Sequence, residues 1–239
     1  MSRVTEAAPA IIIYGGAFDP PHTSHVAALV QALARFPAAR GLVLPAPEPA
    51  GAGGQHKTPA QPFADRLALT RLAFAALSPR VEVSSFEADL PGPHYTVQTL
   101  TALAARHPEL KCGLLIGQDQ LESFARWREP RRILELASLI VLPRPRPGDP
   151  AGADDQALRA ATTALAKTLG LAVEWEQAAA QNSAWLPELT RSIHLLYRPV
   201  GDAASSVIRE HLRRGEPLPD GWLPPPVERA IRAHHYYGT

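Results

Sequence analysis

Residues 11–25 read IIIYGGAFDPPHTSH, and no other stretch limits the possible folds as strongly. Ile11, Ile12, Ile13 and Tyr14 form a short apolar, β-branched run, the pattern of a strand buried inside a parallel sheet. Gly15 and Gly16 end it, leaving no side chains between the backbone and a ligand. Pro20 and Pro21 stiffen a turn. A helical pattern then begins at His22 or Thr23, with Val26, Leu29, Val30 and Leu33 as its apolar face. A strand, a glycine turn and a helix N-terminus together make an anion site, because N–H groups and helix dipole point at the same place. If the first turn is helical, His22 and His25 share a face and overlook that site.

Several chemistries are excluded by the same residues. The stretch lacks G-x-x-x-x-G-K-[ST], so it is not a P-loop, and lacks G-x-G-x-x-G, so it is not the dinucleotide fingerprint. Two histidines three apart are half a zinc site, and a third close ligand is missing, so no protein metal site is expected. Histidines that merely cap or pack remain the ordinary alternative. The flanking GG and FDP favour phosphate binding.

Composition narrows the class. The chain has 239 residues, 46% apolar and 20% charged, which suits a globular α/β protein. A formal net charge of +1 gives no reason to expect a nucleic-acid partner. The single cysteine, Cys112, rules out an internal disulfide and fits a reducing compartment, so a cytoplasmic location is expected. No run approaches the roughly 20 apolar residues of a membrane span, and residues 1–10 do not read as a signal peptide.

In chain order, the patterns predict a first helix to Phe36 and a strand over Gly41–Leu44. A linker-like, proline- and glycine-rich segment containing His56 and Lys57 follows. Next come a helix over Phe63–Leu77 with Leu67, Leu69, Leu72, Ala73 and Ala76 inward, and a strand over Val81–Val83. A helix capped by Thr96 has Val97, Leu100, Leu103 and Ala104 inward. Lys111–Ile116 reads as a strand whose end carries Gly117 and Asp119, at the edge where open α/β sheets bind ligands. A short helix at Pro130–Leu136, a strand at Leu139–Leu142, a helix at Asp155–Leu169 and a strand at Ser192–Tyr197 complete the sheet region. Residues 146–191 are the hardest to read. Residues 204–237 read as C-terminal helices, the first starting at Ser205 and Ser206 with Val207, Ile208 and Leu212 inward.

GGAFDPPHTSH resembles the G-G-[ST]-F-D-P-x-H-x-G-H signature of the H-x-G-H nucleotidyltransferase superfamily, and within it the nicotinate-nucleotide adenylyltransferase family. Four further strings follow in family order. HK at 56–57 is similar to its P-x-H-K element, PHYTVQTL to P-S-Y-T-x-x-T-L, IGQDQLESFARW to I-G-x-D-x-L-x-x-F-x-x-W, and AASSVIR to I-S-[SA]-T-x-I-R. Ala17, Ser24 and Ala204 depart from it, standing where the family has a hydroxyl residue, glycine and serine.

The resemblance implies a single Rossmann-like α/β domain over residues 1–239, a doubly wound parallel sheet with a helical C-terminal part. It implies transfer of AMP from ATP to nicotinate mononucleotide, with Mg2+ accompanying ATP. His22, His25, Lys57 and Arg209 would carry the chemistry. Gly15, Gly16, Ala17, Phe18, Gly117, Asp119, Ser205 and Ser206 would line the ATP site together with them. Tyr95 and Thr96 would hold the nicotinate carboxylate on helix N–H groups, Trp127 would stack on its ring, and Arg144 would lie near the mononucleotide phosphate. A sibling enzyme with nicotinamide mononucleotide or phosphopantetheine as acceptor, and a non-catalytic nucleotide-binding protein, are the alternatives.

Overall fold

The apolar run after Ala10 forms β1 (Ile11–Gly16), and the periodic segment after the proline turn forms α1 (Thr23–Arg35). β2 (Arg40–Pro45), α2 (Phe63–Phe74) and β3 (Val81–Val83) follow, α2 tightening into a 3-10 turn at Ala75–Leu77. A 3-10 turn at Phe86–Asp89 leads to α3 (Thr96–Arg106), β4 (Cys112–Gly117), α4 (Gln118–Ser123), α5 (Pro130–Leu136) and β5 (Ala137–Leu142). The rest is α6 (Ala153–Thr168), β6 (Glu174–Trp175), β7 (Ser183–Leu186), β8 (Arg191–Leu195), α7 (Ser205–Arg214), α8 (Pro225–Ala233) and a last 3-10 turn at Tyr236–Gly238. The computed structural model describes residues 8–47, 58–143, 153–176, 182–196 and 200–239.

The strands make one sheet in the order β3-β2-β1-β4-β5-β8-β7-β6. Pairing is parallel from β3 to β8, and β7 and β6 add antiparallel at the far edge. This is the Rossmann-like, doubly wound arrangement expected from the sequence. Side chains alternate between two cores, as strand geometry requires. Ile12, Val43, Leu115 and Ile140 pack in a core with Leu29, Leu69, Ile208 and Ile231 from α1, α2, α7 and α8. Ile13, Leu44, Leu114 and Val141 pack in a second core with Leu100, Leu121, Ile133 and Leu158 from α3 to α6.

The strand order reverses between β1 and β4, the switch point at which such sheets open a crevice beyond the strand ends. The register shows the opening. β1 stays paired with β2 as far as Gly16–Pro45, and β4 with β5 as far as Gly117–Leu142. β1 and β4 pair only over Ile11–Ile13 with Cys112–Leu114. Their glycine-bearing ends therefore diverge.

Several expectations about helix faces need correction. Val30, Leu72 and Val207, read as inward, are exposed at 43%, 39% and 41%. Ala76 is exposed as well. α2 buries Arg66 and Thr70 beside Leu69, Ala73 and Phe74, because a guanidinium that satisfies backbone carbonyls replaces part of the apolar stripe. Thr96 is the first residue of α3 and Tyr95 its cap, and the Tyr95 N–H donates back to Gln98 Oε1 at 3.0 Å. Among the described residues, no helix is long and apolar enough to cross a membrane.

Candidate active site

The turn after β1 is shaped by Phe18. Its φ of +48° is left-handed, which a residue with a Cβ adopts only when its surroundings require it. The ring is buried and meets Tyr14 edge-on at 5.4 Å and His25 at 5.0 Å. A methyl built on Gly16 would lie 3.3 Å from that ring, so the glycine lets the wedge sit under the turn.

Asp19 and Pro20 are then fixed from four directions. Asp19 is 4% exposed, and its Oδ1 accepts from the Tyr237 hydroxyl at 2.8 Å and its Oδ2 from the Ala60 N–H at 2.6 Å. The Asp19 carbonyl accepts from Arg209 Nη1 at 2.5 Å, and the Pro20 carbonyl accepts from Ser205 Oγ at 2.9 Å. Arg66, fully buried, donates to the carbonyls of Ala17, Pro47 and Gln61. Burial pushes its guanidinium below the ordinary value, opposed by the nearby charge of Asp19. Burial also pushes the Tyr237 phenol far up, and the carboxylate of Asp19 adds to that.

His22 caps α1 and His25 lies in its first turn. Their rings stack at 3.6 Å and 28°. The His22 N–H donates to His25 Nδ1 at 3.2 Å. Nδ1 must be unprotonated to accept, so the proton of neutral His25 is on Nε2, where it can be donated. The Thr23 N–H and Oγ1 both donate to the Trp222 carbonyl, at 3.0 and 3.1 Å, seating α1 on the C-terminal part.

Across the crevice, Gly117 caps α4, and its N–H donates to Gln120 Oε1 at 3.0 Å. A Cβ at Gly117 would lie 2.7 Å from Asp119 Oδ1, so a larger residue there would turn that carboxylate away from its present position. Asp119 itself is exposed. Trp127 is half-buried, its ring tilted at 32° on Phe124 with centroids 5.0 Å apart. Tyr95 N–H, assigned to the nicotinate carboxylate by resemblance, donates to Gln98 Oε1 and the Pro93 carbonyl, both at 3.0 Å. Thr96 and Val97, in the first turn of α3, have no intrahelical acceptor within reach. Beneath that turn, Thr99 Oγ1 donates to the buried Glu87 at 2.7 Å, and burial pushes the Glu87 carboxyl up to about 7.

The described chain thus gathers the Gly15–His25 turn and the start of α7 around Asp19 and Pro20, beside the β4–α4 turn. Tyr95 and Trp127 lie on the α3–α6 side of the sheet, with Thr96 following Tyr95 as the first residue of α3. Lys57 and Arg144 lie outside the described residues. Ser206 is exposed at the start of α7, one residue past the Ser205 that holds Pro20. Two of the three departures contribute through the backbone, and the third through a buried side chain. Ala17 gives a carbonyl to Arg66, Ala204 a carbonyl to the Ile208 N–H, and Ser24 is buried where a methyl on Gly201 would be 3.1 Å from its Oγ. Sequence reading missed Asp19 as a hub, Arg66 and Tyr237. An aspartate inside FDPP was visible. Its partners were not, because Arg66 sat in an apolar pattern and Tyr237 is 218 residues away.

The family model described as cytidylyltransferase-like matches residues 13–208. A relative from Symbiobacterium thermophilum, named probable nicotinate-nucleotide adenylyltransferase, is 34% identical over 227 residues, 95% of this chain and 94% of its own. One of the same name from Roseiflexus sp. is 33% identical over 94% of this chain and 96% of its own. The fold is similar to that of Plasmodium falciparum nicotinic acid mononucleotide adenylyltransferase complexed with APC, at a TM-score of 0.66 and 15% identity, covering 96% of this chain and 98% of that one. The same protein complexed with NaAD gives 0.66 at 14% identity, with the same coverage.

Proposed function

The chain belongs to the cytidylyltransferase-like family of nucleotidyltransferases, and from that membership we propose that it transfers the adenylyl group of ATP to nicotinate mononucleotide, yielding nicotinate adenine dinucleotide and pyrophosphate for NAD synthesis. The observation that carries the reading is the His22–His25 pair, fixed at the start of α1 beside the diverging ends of β1 and β4. Relatives named for this reaction align over nearly the whole chain and support the choice of substrates.

The reacting groups need no general base, because the nucleophile is a phosphate oxygen that is already anionic. That oxygen bonds to the α-phosphorus of ATP as the bond to the bridging oxygen breaks, and pyrophosphate leaves with the electron pair. Catalysis then consists of positioning and charge stabilisation. In this reading His25 donates from Nε2 to the phosphates, and His22, stacked against it, completes the contact. Gly15, Gly16, Ala17 and Phe18 let the nucleotide approach the backbone, with Gly117 and Asp119 on the other wall. Arg209 spends Nη1 on Asp19 and has further N–H groups for the β- and γ-phosphates, as does Lys57 with its ammonium. Ser205 holds the turn and Ser206 faces outward beside it.

On the acceptor side, the first-turn N–H groups at Thr96, set by the Tyr95 cap, favour a carboxylate. Trp127 offers a ring face and Arg144 a cation for the mononucleotide phosphate. Magnesium would come with the nucleotide substrate and offset the negative charge of its phosphates. Among the described residues no three His, Cys, Asp or Glu side chains converge on one point.

The test is pyrophosphate release from Mg-ATP with nicotinate mononucleotide, nicotinamide mononucleotide and phosphopantetheine in parallel. Fastest release with nicotinate mononucleotide is expected. Preference for another acceptor assigns a sibling activity, and ATP binding without release from any of the three defeats the enzymatic reading.

A further inference from the structure

We propose that Tyr237, at the far end of the chain, is a positioning residue for the transfer site, its hydroxyl holding the Asp19 carboxylate in the orientation that ties the FDPP turn to the chain at Ala60. The inference rests on the adenylyl-transfer reading only where turnover is concerned.

The geometry is specific. A carboxylate has two oxygens in a plane, and at Asp19 each has its own donor, Tyr237 on Oδ1 at 2.8 Å and the Ala60 N–H on Oδ2 at 2.6 Å. With the first donor gone, the group can rotate and release the second. Asp19 is 4% and Tyr237 8% exposed, so water cannot replace the lost bond without rearrangement. The residue that rotates is part of the turn itself. Its carbonyl accepts from Arg209, and it stands three positions before His22.

The C-terminal segment is bent for this contact. His235 and Tyr237 have φ of +53° and +61°, conformations that L residues keep only when contacts over-determine them. The bend sends the two neighbouring tyrosines to different partners. Tyr236 donates to Asp65 Oδ1 at 2.8 Å, in the first turn of α2, and Tyr237 to Asp19. Both anchor the C-terminus, and only one touches the turn. That difference separates positioning from mere attachment.

The experiment compares wild type, Tyr237→Phe, Tyr236→Phe and Asp19→Asn in the full chain. Hydrogen exchange is read at the Ala60 amide, kcat and the KM for ATP by pyrophosphate release, and the melting midpoint by calorimetry. Tyr237→Phe and Asp19→Asn are expected to speed Ala60 exchange by about tenfold or more and lower kcat by about tenfold, with a smaller change in KM, as slight misplacement of reacting groups does. A chain carrying both Tyr237→Phe and Asp19→Asn, added to the comparison, should lose little more than either single variant. Tyr236→Phe is expected to lower the midpoint and leave Ala60 protection and kcat at wild-type levels. Unchanged Ala60 protection in Tyr237→Phe and Asp19→Asn, or equal losses in Tyr236→Phe, overturns the proposal. A wild type that binds ATP and transfers nothing defeats the functional reading instead, and the exchange comparison still decides whether Tyr237 positions the turn.

Discussion

The backbone N–H of His22 donates to Nδ1 of His25 at 3.2 Å while the two rings stack at 3.6 Å. One hydrogen bond therefore sets both the orientation of the second imidazole and the nitrogen from which it can donate.

His25→Ala should lower kcat by a factor of ~10²–10³, taking the loss of one preorganised donor as the guide. ATP affinity should fall much less, because the contact strengthens as charge passes to pyrophosphate. A residue that only capped α1 would show the reverse, lower stability with normal turnover in the folded fraction. A zinc ligand would show stoichiometric zinc in the purified protein. Kinetics, melting and metal content on the same two preparations distinguish the three.

Trp127→Ala should raise the mononucleotide KM and leave ATP affinity close to wild type. The loss is on the order of 1–3 kcal/mol if base-stacking values apply. Some stability should go too, since the ring packs on Phe124. An ATP affinity that falls while the mononucleotide KM holds would reassign Trp127.

Nicotinate mononucleotide should be strongly preferred over its amide. In the proposed reading the acceptor meets the N–H groups and dipole at the start of α3, and a carboxylate gains more from both than a neutral amide does. Comparable kcat/KM values for the two would remove the carboxylate from that site.

Glu87 gives a pH dependence of known sign. Its carboxyl is raised to about 7 in the folded chain, first by burial, so the folded state holds the proton more tightly than the unfolded one. Its contribution is fully present below pH 4.5 and is lost as pH rises through about 7. Glu87→Gln keeps an acceptor for Thr99 and removes the charge. The variant should gain stability over wild type progressively across that interval, to about 3 kcal/mol at most. His194 has the opposite sign. Burial against Ser183 and Phe36 lowers it to about 4, so its contribution is lost as pH falls from 6.5 toward 4. Denaturant unfolding of wild type and Glu87→Gln from pH 4 to 8 reads the difference directly, and a constant difference would contradict the assignment to Glu87.

The strand-turn-helix unit was legible because its signals are local. Ile11–Ile13 are β-branched, Gly15 and Gly16 end the strand, and the prolines precede a periodic run. The same logic placed β2, β3, β4, β5 and α5 within a residue or two. It failed where a polar group is buried by backbone partners from elsewhere. Arg66 occupies a core position on α2 and Leu72 faces solvent, an exchange that depends on carbonyls of Ala17, Pro47 and Gln61. It also failed for β6 and β7, whose two and four residues at a sheet edge are too short for a period to register. The histidine pair could be read from spacing. The fastening of its turn could not, because Ser205, Arg209, Trp222 and Tyr237 meet it only through the tertiary fold.

The most direct measurement of the central claim is product formation by the purified chain with Mg-ATP and nicotinate mononucleotide, followed by chromatography of the nucleotides alongside a pyrophosphate assay. Nicotinate adenine dinucleotide and pyrophosphate are expected in equal amounts, with turnover that depends on His25. ATP consumed without dinucleotide, or no product above the enzyme-free control from a chain that binds ATP, would contradict it.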